Sequence, residues 1–197
     1  TVPEIIAPII RENNLYGLDV HTWLKAHLKP NRYLHSKNVA EMAAAFSDIY
    51  DVNVELAVKA GIMHDAGKGF SGPELIAFCK EHKIKVPFFE DICRMEPSLL
   101  HSYVSAWIAQ HEFGVTNKDV IRAIAEHTLG SLHMSTLSKI LFVADISSKD
   151  RKYKDAFVIR NLALQDLNKA LLFTIDTQKW LCPLGTDLWN HLIKQEK

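Results

Sequence analysis

The sequence predicts an all-α protein, and three observations lead to that fold class. Apolar residues recur at steps of three and four along most of the chain, as they do on the buried face of an α-helix. The two-residue alternation that would indicate a β-strand is weak everywhere. At 197 residues, the chain is long enough for one well-buried core and short of two ordinary domains. We therefore expect a single-domain helical bundle over residues 1–197.

Polar capping residues and glycines divide the first half of the chain into helices. We expect helix starts at Asn31, at Asn53 and at Ser71, where a capped first turn follows. The helix after Asn53 is expected to end at the doublet His64-Asp65, just before Gly67. The residues before Asn31 are expected to form two short helices around residues 17–19.

Further helices are expected in the second half of the chain. One runs over about residues 98–113, with Gly114 as its stop. The next begins at Thr116 or Asn117 and ends at Gly130, and another begins at Ser135. The C-terminal third is also compatible with helix, apart from an interruption at residues 182–185.

Charge and cysteine content exclude several classes of protein. The 23 basic and 23 acidic residues balance, so the chain has no basic field that would favour nucleic acid. No apolar run is long enough to cross a bilayer, and residues 1–10 lack the pattern of a signal peptide. The three cysteines, an odd number without a C-x-x-C pair, suit a reducing cytoplasm. We expect a soluble, cytoplasmic protein that binds neither nucleic acid nor membrane.

Six polar residues stand on or beside apolar helix faces, where core residues are expected. A single histidine in such a place is usually a hydrogen-bonded core residue, because buried polar groups find partners. Five helical segments with this feature favour a shared metal centre, which would satisfy all of the groups at once. Imidazole nitrogens and carboxylate oxygens without thiolate suit iron, manganese, zinc, cobalt or nickel. The six residues are His35, His64, Asp65, His101, His127 and Asp145.

The motifs around these residues resemble those of the HD-domain superfamily of metal-dependent phosphohydrolases. Their order and spacing resemble the YqeK branch of that superfamily. The motifs are Asn-Arg-Tyr-Leu-His-Ser (31–36), His-Asp-Ala-Gly-Lys (64–68), Leu-Leu-His-Ser (99–102), Glu-His-Thr-Leu-Gly (126–130), and Met-Ser-Thr-Leu-Ser-Lys-Ile-Leu-Phe-Val-Ala-Asp (134–145) with Arg151. The resemblance covers about residues 18–160 and implies an HD-type helical bundle with the metal site between helices. Helices at about residues 161–197 would pack on this core.

The resemblance also implies an activity. Members of the branch are symmetrical bis(5'-nucleosyl)-tetraphosphatases, which split the small-molecule nucleotide diadenosine tetraphosphate into two ADP and depend on iron. The sequence departs from the branch pattern at residues 146–151, Ile-Ser-Ser-Lys-Asp-Arg, where an acidic residue, Pro and Gly usually precede the Arg. It also has Ser102 where Gly is usual. These departures leave the metal ligands intact and concern the nucleotide-contacting rim.

The resemblance leads to a hypothesis for each site residue. His35, His64, Asp65 and Asp145 would hold one ion, and Asp65 would bridge to a second ion held by His101 and His127. A hydroxide that bridges the two ions would attack an inner phosphorus. Lys68 and then Arg151 are our choices for stabilising charge on the phosphate oxygens. Thr128 and Gly130, just past His127, would line the phosphate path.

Alternative interpretations stay open at this point. Lys68 and Arg151 are also compatible with solvated surface positions, and Asp145 with pairing to Lys139 or Arg151. Arg32 is expected either to orient phosphate or to pair on the surface. The same fold and ligands would serve another HD nucleotide phosphatase or phosphodiesterase, or a non-catalytic module that senses a nucleotide. Apolar positions around residues 180–189 are compatible with core or with a homodimer contact.

Overall fold

The computed structural model describes residues 20–131 and 133–177, and within them every regular element is helical, which confirms the predicted fold class. In this part of the chain the α-helices are α1 (Val20–His27), α2 (Pro30–Ile49), α3 (Val54–Met63), α4 (Gly72–Glu81), α5 (Phe89–Met95), α6 (His101–His111), α7 (Lys118–Glu126), α8 (Thr136–Ser147), α9 (Lys154–Ala163) and α10 (Leu167–Thr177). Short 3₁₀ helices span Ala66–Gly69 and Pro97–Leu100.

Helices α2, α3 and α8 form the centre of the bundle. Helix α8 is buried around most of its circumference and packs against α2, α3, α7, α9 and α10. A helix that is apolar on all sides belongs in the middle of a core rather than on its surface. Helices α2 and α3 approach so closely at Gly61 that a Cβ atom there would lie 2.5 Å from the Cα of Ala40. His35, the doublet at the end of α3 and Asp145 therefore come from closely packed helices at the centre of the bundle.

Most of the expected helix starts are confirmed. The side chains of Asn53, Asn117 and Ser135 accept backbone N–H groups at the starts of α3, α7 and α8. At the start of α4, Glu74 accepts the backbone N–H of Ser71 at 2.7 Å, as in a capping box.

Two expected boundaries are wrong by a few residues. Helix α2 begins at Pro30 rather than after Asn31, because the ring of a proline fixes φ at a value suited to the first helical position. The segment expected to be helical from Ser98 is a 3₁₀ turn up to Leu100, and α6 begins at His101 itself. His101 thereby stands at a helix start, with its side chain close to the end of α3.

The stops at Gly114 and Gly130 are confirmed, with φ of 67° and 70°. No helix in residues 20–131 and 133–177 is long and apolar enough to span a bilayer. Cys79 and Cys93 are free thiols. The cytoplasmic location stays a prediction.

Three predictions concern residues outside the described ranges: the short helix before residue 20, the interruption at residues 182–185, and the core or homodimer contact around residues 180–189. Helix α10 packs on α8 and α9. The domain limits and the packing of the chain beyond residue 177 therefore also stay predictions.

Candidate metal centre

The structure brings the six proposed ligand residues together from five segments of the chain. His35 lies in α2 and Asp145 in α8, while the other four stand at or beside helix ends. His64 follows the last residue of α3, Asp65 is next to it, His101 begins α6 and His127 follows α7. All are buried except Asp145, which is largely so.

The end of α3 explains how two adjacent residues both face the site. His64 keeps helical backbone angles, whereas Asp65, with φ of −105° and ψ of 18°, turns the chain into the 3₁₀ segment. Gly67 then packs directly on α6, because a Cβ atom there would lie 2.7 Å from the carbonyl oxygen of His101. The Gly67 amide donates to Oγ of Ser105 at 2.8 Å. This close approach brings Asp65 next to His101.

The two oxygens of Asp65 face different histidines. Oδ2 lies 3.4 Å from Nε2 of His64 and 4.0 Å from Nε2 of His35. Oδ1 lies 3.3 Å from Nε2 of His101 and 3.7 Å from Nε2 of His127. The carboxylate therefore stands between two sets of ligand atoms, with one oxygen toward each.

We call the first set the His35 group, which consists of His35, His64 and Asp145. Oδ1 of Asp145 lies 2.9 Å from Nε2 of His35 and 3.9 Å from Nε2 of His64. One ligand atom from each of the three residues fits within a mutual distance of 4.8 Å. This is the spacing expected of residues that surround a single ion.

We call the second set the His101 group, which consists of His101 and His127. Their Nε2 atoms are 3.1 Å apart, and the hydroxyl of Thr128 lies 3.2 Å from Nε2 of His101. His64, Asp65 and His127 also form a set whose ligand atoms lie within 4.8 Å of one another. The two groups are thus contiguous through Asp65 and His64.

The imidazole rings are oriented with Nε2 toward the site and Nδ1 away from it. Nδ1 donates to a backbone carbonyl oxygen in His64 (Gly61, 2.7 Å), His101 (Ser98, 2.6 Å) and His127 (Ile124, 2.7 Å). A proton fixed on Nδ1 leaves the Nε2 lone pair available to a metal ion. In His35, Nδ1 donates to a carboxylate instead, Oδ2 of Asp150 at 2.8 Å.

The residues present fit a divalent transition-metal ion. Nε2 of His64 is fully buried and has no hydrogen-bond partner, which is costly unless the nitrogen binds something. The donor set around it consists of imidazole nitrogens and carboxylate oxygens, without thiolate. Iron, manganese, zinc, cobalt and nickel all bind such a set of donors.

Three cationic side chains border the ligand cluster. Nη1 of Arg32 lies 2.9 Å from Oδ2 of Asp65. Arg151 holds Asp145 twice, since Nη2 lies 2.5 Å from Oδ1 and Nε donates to the backbone carbonyl at 2.9 Å. Lys68 is half-buried and interacts electrostatically with Asp65 and Asp145. The Arg32 and Arg151 side chains are 37% and 31% exposed, so they stand at the mouth of the site.

The carboxylates of Asp65 and Asp145 are both held in the charged form. Burial acts to raise the pKa of Asp65, but the nearby imidazoles of His64, His101 and His127 outweigh it and keep the pKa well below the ordinary value. Burial acts in the same way on Asp145, where Arg151 and His35 keep the pKa well below the ordinary value. Two buried negative charges are what a cluster of divalent cations requires.

The pKa values of His35 and His101 are shifted in opposite directions. Burial lowers the pKa of His101 to about 4, although Asp65 acts against this change. Burial also acts to lower the pKa of His35, but the hydrogen bond and the charge of Asp145 raise it above the ordinary value.

Burial lowers the pKa of Lys68, with Arg32 and Arg151 adding to the effect and Asp65 and Asp145 opposing it.

The remaining residues that were singled out lie at different distances from the cluster. Thr128 touches His101, whereas the amide of Gly130 donates to the carbonyl of Glu126 at 2.8 Å and closes α7.

The histidines that were left unassigned make contacts elsewhere. His27 stacks on Trp23, and His111 stacks on Trp107.

From the sequence, Arg32 was compatible with either a phosphate-orienting or a surface position, and Asp150 was not among the candidate site residues. Arg32 lies three residues before His35, which places both on one face of α2, and this spacing was the available signal. Asp150 lies in the charged run Lys149 to Lys154, which resembles an exposed loop, so no local pattern indicated its contact with His35.

Comparisons with known proteins point to one family. The HD domain matches residues 32–150. A symmetrical bis(5'-nucleosyl)-tetraphosphatase from Halalkalibacterium halodurans is 32% identical, over 88% of this chain and 95% of that protein. The enzyme of the same name from Bacillus subtilis is 30% identical, over 77% of this chain and 80% of that protein. A crystal structure of a predicted HD superfamily hydrolase involved in NAD metabolism, from Clostridium acetobutylicum, superposes with a TM-score of 0.82 at 31% identity and covers 89% of this chain and 96% of that one.

Proposed function

The chain belongs to the HD-domain family of hydrolases, and on that basis we propose that it cleaves diadenosine tetraphosphate at its centre to give two ADP. The relatives with this activity in their names match most of the chain, and the HD-domain match at residues 32–150 spans the positions of all six proposed ligands. The observation that carries the proposal is the Asp65 carboxylate, which offers one oxygen to each of two histidine groups.

We propose that the site holds two divalent transition-metal ions and that iron is the native metal. His35, His64 and Asp145 would hold one ion, His101 and His127 the other, and Asp65 both. Two such ions supply positive charge for the phosphate oxygens and lower the pKa of water enough to make it a nucleophile at neutral pH. The choice of iron comes from the family resemblance, and the nitrogen and oxygen donors are compatible with it.

The chain's own cations suit a polyphosphate substrate. Arg32, Lys68 and Arg151 lie on the edge of the ligand cluster, where negative charge builds up on phosphate oxygens during hydrolysis. The planar guanidinium of an arginine can grip two phosphate oxygens at once. We propose that Lys68 and Arg151 bind the phosphates, that Lys68 also stabilises the transition state, and that Thr128 and Gly130 line the path beside His101.

The proposed reaction consumes one water. Its oxygen bonds to one inner phosphorus, and the bond from that phosphorus to the oxygen between the two inner phosphates breaks. The second ADP leaves as a stabilised anion, so a strong general acid is not essential. Asp65 and the histidines would hold the metal ions that supply positive charge and an activated water for this displacement.

Product analysis tests the proposed cut. The purified protein, supplied with Fe²⁺ or Mn²⁺, is incubated with diadenosine tetraphosphate, diadenosine triphosphate and mononucleotides, and the products are separated by chromatography. We expect ADP alone from the tetraphosphate. AMP together with ATP would contradict central cleavage, and faster turnover of a mononucleotide would favour another HD phosphatase. The Asp65→Asn variant, prepared in parallel, controls for contaminating enzymes.

A further inference from the structure

His35 differs from the other three imidazoles in the partner of its outer nitrogen. His64, His101 and His127 each donate from Nδ1 to the backbone carbonyl three residues earlier. His35 donates to the carboxylate of Asp150, which lies 115 residues further along the chain, at 2.8 Å. The orientation of His35 therefore depends on a charged side chain from another element.

Asp150 is itself fixed on both oxygens. Oδ2 accepts from His35, and Oδ1 accepts from the side-chain amide of Asn38 in α2 at 3.1 Å. The pKa of Asp150 is lowered although burial acts to raise it, because His35, Ser148 and Asn38 favour the charged form. With 34% of its side chain exposed, Asp150 stands at the outer edge of the bundle rather than in the core.

The loop that carries Asp150 is anchored on both sides of it. The guanidinium of Arg160 donates to the carbonyl oxygens of Ser147 at 2.6 Å and Ser148 at 3.1 Å, which closes the C-terminal end of α8. Arg151, the next residue along, holds Asp145. Two consecutive side chains thus support two members of the His35 group, since Asp150 contacts His35 and Arg151 holds Asp145.

We propose that Asp150 is a positioning residue of the metal centre, whose carboxylate keeps the proton of His35 on Nδ1 and so presents the Nε2 lone pair to a divalent ion. The inference rests on the proposed function, because it needs a metal at the His35 group. A carboxylate behind a histidine ligand fixes the ring and makes its inner nitrogen a better donor than a backbone carbonyl does.

Metal affinity tests the inference without relying on turnover. Mn²⁺ binding to the full chain is measured by equilibrium dialysis with metal analysis for the wild type, Asp150→Ala and Asp150→Asn. The control is Glu41→Gln, because Glu41 in α2 holds the same loop through Lys149 at 3.0 Å without touching a ligand. Melting temperatures of the metal-free proteins show whether the variants fold.

We expect Asp150→Ala to weaken Mn²⁺ binding at one site by about 10- to 100-fold, as the loss of a partner behind a metal ligand usually does. Asp150→Asn, whose amide oxygen can still accept from Nδ1, should lose less, and it carries the test if the alanine variant does not fold. Glu41→Gln should bind Mn²⁺ like the wild type.

Equal affinity of the wild type and Asp150→Ala would overturn the inference while leaving the metal centre intact. A loss in Glu41→Gln as large as that in Asp150→Ala would also overturn it, because the effect would then come from anchoring the loop. A wild type that binds no Mn²⁺ would overturn the proposed metal centre and the inference with it.

Discussion

The His35 group and the His101 group meet at Asp65, yet different kinds of partner orient their side chains. In the His35 group, the Gly61 carbonyl orients His64, but Asp150 orients His35 and Arg151 holds Asp145, and both of these side chains come from the loop that follows α8. In the His101 group, both rings are oriented by backbone carbonyls three residues earlier in the chain. The His35 group thus depends partly on charged side chains, whereas both imidazoles of the His101 group are oriented by the geometry of helix ends.

Because of this difference, we expect the two groups to respond differently to substitutions. A substitution outside the ligands can disturb the His35 group, because the contacts that support His35 and Asp145 are side chains that mutation removes. The His101 group loses its support only if the backbone moves, for example at Gly67, where a Cβ atom would lie 2.7 Å from the His101 carbonyl oxygen. Asp65 belongs to both sides, so its loss should have the largest effect.

The first prediction concerns Asp65. Asp65→Asn should lower kcat by more than about 100-fold, beyond the loss typical of a supporting partner, because it removes the charge that both groups share. The side chain keeps its shape, so the metal-free variant should fold. Steady-state kinetics and a melting curve measure the two effects, and near-normal turnover in a folded variant would show that Asp65 does not join the groups.

The second prediction separates the two sides. Asp145→Asn should reduce the bound metal by one ion and leave the His101 group occupied, whereas His127→Gln should remove the other ion. Each variant keeps one set of donors intact, so metal analysis should give about half of the wild-type content. Loss of all metal from either variant would mean that the groups do not bind independently.

The third prediction is the smallest and concerns pH and the stability of the metal-free protein. Burial lowers the pKa of His101 to about 4, so between pH 4 and 6.5 the unfolded chain binds more protons at this residue, and stability falls as the pH drops through that range. The raised pKa of His35 acts in the opposite sense. Its contribution to the stability of the folded protein is present below pH 6.5 and is lost as the pH rises through the pKa that His35 has in the folded state.

Urea unfolding in the presence of a chelator measures this difference. His101→Gln should flatten the loss of stability between pH 6.5 and 4, whereas His35→Gln should remove a loss that occurs above pH 6.5. Unfolding curves of His101→Gln with the wild-type pH slope would contradict the assignment of this dependence to His101.

The sequence predicted the helical fold and singled out six candidate ligand residues, because both leave a local signal. Apolar spacing indicates helices, and His35, His64, Asp65, His101, His127 and Asp145 interrupt apolar faces, which ordinary core residues do not. The start of α2 was misplaced because both Asn31 and Pro30 favour helix starts, and the proline took the first helical position.

The supporting contacts left no such signal. The bond from His35 to Asp150 joins residues 115 positions apart, and the packing of α2 against α8 decides it. Arg32 and Arg151 were recognisable as cations, but only the folded chain brings Arg32 to Asp65 and Arg151 to Asp145.

The most direct test of the two-sided metal centre is the anomalous scattering of Mn²⁺ in a crystal of this protein. We predict two peaks per chain, one beside His35, His64 and Asp145 and one beside His101 and His127, with Asp65 in contact with both. A single peak, or peaks away from these residues, would contradict the account.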